Sequence, residues 1–95
     1  MRRFEPYAAS AAIQRKIEEK HQIRMEEVEE LFEQDPLVLR GETDQYGERR
    51  YVALGRTESG RYLLVVFTVP KVGKAKVITA REMTQREQRF YKSRG

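Results

Sequence analysis

The sequence predicts an α+β fold: two N-terminal helices, an antiparallel β-meander and a C-terminal helix. Three observations carry that reading. The apolar spacing changes from roughly 3.6 residues to 2 at Asp35-Pro36. The run "YLLVVFTV" is apolar at almost every position, the pattern of a strand covered on both faces. Thr84 and Glu87 stand at capping-box spacing directly after the last alternating stretch.

Taken in order, Ser10 is placed to cap a helix running from Ala11 to about Lys20, with Ile13 and Ile17 one turn apart on its buried side. A second helix, "RMEEVEELFEQD", carries Met25, Val28, Leu31 and Phe32 as its apolar stripe. Its glutamates suit the positive end of the helix dipole, although Arg24 is a poor cap, and Pro36 stops it. "PLVLRGE" reads as a short strand and "TDQYGER" as a loop. "RYVALGRT" is the next strand, with Val52, Leu54 and Arg56 on one face and Tyr51, Ala53 and Gly55 on the other. "ESGR" is a hairpin turn whose Gly60 suits a positive φ. "YLLVVFTV" is the central strand, with Leu64 and Val66 facing one layer and Leu63, Val65 and Phe67 the other. "PKVGK" turns again, and "KAKVITAR" alternates so that Arg81 shares a face with Ala75, Val77 and Thr79. The last helix begins near Gln85.

Ninety-five residues make one domain, residues 1–95. Without cysteine there is no disulfide framework or thiolate metal site, and with His21 as the single histidine there is no multi-histidine site. No apolar stretch reaches the ~20 residues of a membrane span, and "MRRFEPYAAS" lacks the apolar centre of a signal peptide. The expectation is a soluble, cytoplasmic protein. The net charge of +4 is unevenly laid out: residues 18–35 hold eight acidic and two basic side chains, whereas residues 81–95 hold five basic and two acidic ones. That layout predicts a basic surface with one acidic flank.

The glutamates around the second helix radiate rather than converge, as a solvated face does and a metal site does not. Arg56 and Arg81 end strands at the edge of apolar faces, where a charge is costly unless it is paired or used. Each suits either a phosphate or a carboxylate of the acidic helix. His21, between the two helices, is the natural proton-transfer group or else a helix-end cap. Tyr91 can stack on a base or join the core. Such a surface could support metal-free RNA cleavage. The ribose 2′-hydroxyl is tethered to the phosphorus it attacks, so the protein need supply only a base, an acid and cations.

The segments "EKHQIRMEEVEELFEQDPLVL", "YGERRYVALGRTESGRYLLVVFT" and "VITAREMTQREQRFY" resemble, in that order, the BrnT toxin family of bacterial type II toxin–antitoxin systems over about residues 13–92. The resemblance implies a RelE-like fold and an endoribonuclease that blocks translation by cleaving RNA without a metal or cofactor. It also implies an adjacently encoded BrnA-like antitoxin of ribbon-helix-helix type. It points to Lys20 and His21, Arg56, and Arg81 with Thr84 and Arg86. The expected site is therefore His21, Arg56 and Arg81 as catalytic residues, with Lys20, Thr84, Arg86 and Tyr91 holding substrate. The sequence departs from the family pattern twice. Gln22 stands where glycine usually follows the Lys-His pair, which predicts a differently shaped junction, and the asparagine often found before the histidine is missing around Ile17 and Glu18. Arg81 and Arg86 at the start of a capped helix also predict an anion site near Arg56. The alternative function is a non-catalytic module that uses the same fold to bind RNA or an acidic protein.

Overall fold

A computed structural model describes residues 4–94; Arg2 and Arg3, which add to the N-terminal charge, lie outside the described residues. The elements are β1 (Glu5–Ala8), α1 (Ala11–Lys20), α2 (Met25–Glu33), β2 (Leu37–Thr43), β3 (Arg49–Arg56), β4 (Tyr62–Lys71), β5 (Lys74–Glu82) and α3 (Gln85–Arg94). Strands β2 to β5 form the antiparallel meander, and β1 adds to β5 in parallel, giving the order β1-β5-β4-β3-β2. The apolar run lies at the centre of this sheet, as its composition requires. Leu63, Val65 and Phe67 face α1 and α2, and Leu64 and Val66 face the opposite side.

The helix side is a dry core. Ile17 from α1, Ile23 from the junction, and Val28, Leu31 and Phe32 from α2 pack on Ala53, Leu63, Val65, Phe67, Ala75, Val77 and Ala80. Phe32 and Phe67 meet edge to face with centroids 5.2 Å apart, and Phe4, leading into β1, lies 5.5 Å from Phe67. On the other side Leu54, Leu64 and Met83 are buried, with Leu37, Leu39, Val52, Tyr62, Val66 and Tyr91 packed around them. Helix α3 closes only part of that side and buries none of its residues fully.

Three expectations change. The first is β1, absent from the sequence reading. Its parallel partner lies far along the chain, and Pro6 is tolerated because the strand is an edge. The second is the face of Arg81. Val66 pairs with Thr79 and Phe67 with Val77, so Ile78 is an extra residue that breaks the alternation. Ala75, Val77 and Ala80 therefore face the helices, while Arg81, opposite Leu64, stands on the α3 side with Arg56, opposite Tyr62. The third is the acidic helix. Glu26, Glu29 and Glu33 are solvated, but Glu27 is only 7% exposed and lies in the protein. Its carboxylate accepts from the Arg24 amide at 3.0 Å, which supplies the cap that the Arg24 side chain cannot.

Candidate nucleic-acid interface

The β3–β4 hairpin organises the basic residues. Thr57 N–H donates to the Arg61 carbonyl at 2.9 Å, Gly60 N–H to the Thr57 carbonyl at 3.0 Å, and Arg61 N–H to Thr57 Oγ1 at 3.1 Å. Gly60 has φ +95°, and a Cβ there would sit 3.3 Å from Arg56 Nη2. A bare backbone at residue 60 thus lets the Arg56 guanidinium fold back across the turn. Arg56 and Arg61 flank this loop and leave it on opposite sides of the sheet.

On the α3 side the Arg56 guanidinium carbon lies 5.3 Å from the centroid of the Tyr62 ring, and Lys92 Nζ lies 4.9 Å from the same centroid. Tyr91 meets Tyr62 edge to face at 6.1 Å. Arg56, Arg86 and Lys92 make no ion pair among the described residues. Two cations and two phenol rings thus gather at one end of the sheet with their charge available, a combination suited to nucleic-acid phosphates and bases. Beside them is an open hollow of about 450 Å³ lined by Leu39, Arg40, Val52, Leu54, Leu64, Arg86, Glu87 and Phe90.

Arg81 shares this side but is already occupied. Its Nη1 and Nη2 each donate to Glu87 at 2.8 Å, a bidentate pair. The Glu87 carboxylate also accepts from the Thr84 amide at 2.8 Å, and the Thr84 hydroxyl accepts from the Glu87 amide at 3.1 Å, completing the predicted capping box. The Arg81 guanidinium is the main reason that the Glu87 carboxyl is held down at about 2, with the Thr84 amide adding to it against burial. A carboxylate therefore takes the place at the start of α3 where the sequence suggested an anion, and Arg86, exposed and unpaired, is the arginine left open there.

Lys20 and His21 lie elsewhere. Lys20 ends α1 and is exposed; His21, half-buried, is its C-cap at φ −115°. Their junction belongs to the helix side of the sheet and reaches the hairpin through Arg61, whose Nη1 donates to the Gln22 carbonyl at 3.0 Å. Gln22 has φ 56°, so the junction takes the left-handed turn that glycine favours, with no glycine present. This corrects the expectation of a differently shaped turn. The structure thus gathers Arg56, Arg81, Thr84, Arg86 and Tyr91 on the α3 side, and it holds Lys20 and His21 across the sheet edge. Tyr62 and Lys92 escaped the sequence reading because strand β4 hides one in an apolar run and α3 hides the other in a charged one. Arg61 was hidden in a turn.

No curated protein matches the chain by sequence similarity. A family model described as ribonuclease toxin, BrnT, of type II toxin-antitoxin system matches residues 12–87, from the start of α1 through Glu87. That span covers both helices of the core, the whole meander and the capping box. The chain belongs to the BrnT family of ribonuclease toxins of type II toxin–antitoxin systems.

Proposed function

We propose that the protein is an intracellular, metal-independent endoribonuclease that blocks translation, gripping RNA at the end of the sheet where β3 turns into β4. The observation that supports this most directly is that Arg56 and Lys92 both lie over the Tyr62 ring, with neither cation in an ion pair among the described residues. In this reading Arg56 binds the scissile phosphate and stabilises the charge that builds on it. Tyr91, Arg86, Thr84 and Lys20 hold the flanking nucleotides. His21, the proton-transfer group, is held across the sheet edge on the helix side and reaches that phosphate only if the RNA backbone bends around the hairpin end; there the 2′-hydroxyl loses its proton as its oxygen bonds to phosphorus, and the departing 5′-oxygen gains one as its bond breaks. Arg81 contributes when a phosphate replaces Glu87 as its partner.

A type II toxin has an antitoxin partner, and we propose a BrnA-like one of ribbon-helix-helix type. To compete with RNA for the cations of the α3 side, it would place carboxylates near Arg56, Arg86 and Lys92. The proposal is tested by expressing the chain alone and with its neighbouring gene, scoring growth arrest and RNA integrity, and by adding a chelator to the cleavage assay. Growth arrest with fragmented RNA, relieved by the neighbour, and cleavage that survives chelation are the expected results. Intact RNA would favour the non-catalytic binding module.

A further inference from the structure

Arg61 has no part in that proposed chemistry, yet its guanidinium is the most heavily engaged among the described residues. Nη1 donates to the Gln22 carbonyl at 3.0 Å and to Glu27 at 2.9 Å, while Nε and Nη2 donate to Glu82 Oε2 at 3.1 and 2.9 Å. Its donors are taken up by these acceptors and two carboxylates outweigh its charge, so it is poorly placed to take a phosphate. What it does hold is backbone. Gln22 sits at φ 56°, a conformation that side chains with a Cβ resist, and its carbonyl is one of the atoms Arg61 grips. The next residue, Ile23, is fully buried and donates its amide to the Ile17 carbonyl at 3.0 Å. Glu27, the other atom group gripped by Nη1, receives the Arg24 amide. Both ends of the four-residue junction 21–24 are thereby tied, through one side chain, to the hairpin that carries Arg56 on its other side.

We propose that Arg61 is a positioning residue: by clamping the Gln22 carbonyl and Glu27 it fixes the turn that carries Lys20 and His21 relative to the hairpin that carries Arg56. The proposal rests on the reading of His21 as the proton-transfer group. It predicts a coupling between residues 61 and 22 that an RNA contact would not produce, because a glycine at 22 adopts the turn without being held.

The test uses the full chain with Arg61→Lys, which keeps the charge and loses the planar fork, alone and combined with Gln22→Gly. Amide hydrogen exchange at Ile23, compared with Val65 in the sheet centre, reads the clamp without using activity. Arg61→Lys is expected to quicken exchange at Ile23 about tenfold with Val65 little changed, and to lower the single-turnover cleavage rate about tenfold with RNA affinity nearly constant. Adding Gln22→Gly should return the exchange and most of the rate. Unchanged exchange in Arg61→Lys would overturn the proposal, as would a cleavage loss that Gln22→Gly does not repair. Glu82→Gln slackens the same clamp from an exposed side chain and should move the same readouts in the same direction by a smaller factor. No movement there counts against the clamp. Cleavage at the normal rate by His21→Ala would remove the catalytic reading of His21 and leave the exchange comparison to judge Arg61 by itself.

Discussion

Arg56 and Arg61 sit at the two feet of one tight hairpin, and their surroundings differ in almost every respect. Arg61 turns toward the helices, meets Glu27 and Glu82, and becomes part of the framework. Arg56 turns toward α3, meets the face of Tyr62, and keeps its charge. Burial pushes the Glu27 carboxyl upward, but the Arg24 amide and the Arg61 guanidinium outweigh it and hold the group below the usual carboxylate range. The same contrast separates the two sides of the sheet. The helix side has a closed apolar core, and its hairpin arginine is paired with Glu27 and Glu82. The α3 side is half-covered, with Phe90 still 40% exposed and cations left over. At this hairpin an arginine's role follows from the side of the sheet it leaves, whereas Arg81, on the open side, is paired with Glu87.

The contrast predicts where mutations cost stability and where they cost function. Phe67→Ala removes a fully buried ring packed against Phe4, Phe32 and Tyr51 and should destabilise by about 3–5 kcal/mol in denaturant unfolding, most of what a chain this small has to lose. Arg56→Ala, on the open side, should change stability by less than about 0.5 kcal/mol. Equal costs at the two positions would dissolve the distinction.

Arg81 is the intermediate case, an open-side arginine closed by Glu87. Glu87→Gln should lower stability by about 1–2 kcal/mol, after allowing for the partial exposure of the pair. It should also free a cation, strengthening RNA binding and steepening the dependence of log K on log salt by roughly 0.7. The pH dependence has a definite sign. Glu87 sits at about 2 in the fold against 4.5 when unperturbed, so its contribution is complete above roughly pH 4.5 and is lost as pH falls toward 2. Acid titration of unfolding should show that loss in the natural chain and a flatter curve in Glu87→Gln.

The smallest effect is expected at Thr68, buried in β4, whose hydroxyl has no hydrogen-bond partner among the described residues. Thr68→Val should be neutral or stabilise by up to ~1 kcal/mol, because a hydroxyl stripped of water without compensation is replaced by a methyl of similar shape. A loss of stability would mean that the hydroxyl is satisfied after all.

Much of this fold could be read from the residues. Strand β4 was legible because an unbroken apolar run has few other uses, and the start of α3 because Thr84 and Glu87 satisfy each other locally. Strand β1 was not legible, since four residues containing a proline gain their meaning only from a parallel partner some seventy positions away. The bulge at Ile78 was hidden because "KAKVITAR" alternates acceptably in either register, and only the pairing to β4 decides which. The site divides in the same way. The residues on the α3 side came from strand ends and a capping signal. The partnership of Arg61 with Gln22 and Glu27 spans 39 and 34 positions and left no local mark.

The central claim, that the open side of the hairpin is where RNA is held and cleaved, is tested most directly by the cleavage rate of Arg56→Ala. The measurement should be made on free RNA and on translating ribosomes, with folding verified by the unfolding curve. The account predicts a rate about 100-fold below that of the natural chain, the usual scale for removing one donor to a developing oxyanion, at nearly unchanged stability. A folded Arg56→Ala protein that cleaves at the natural rate on both substrates would contradict it.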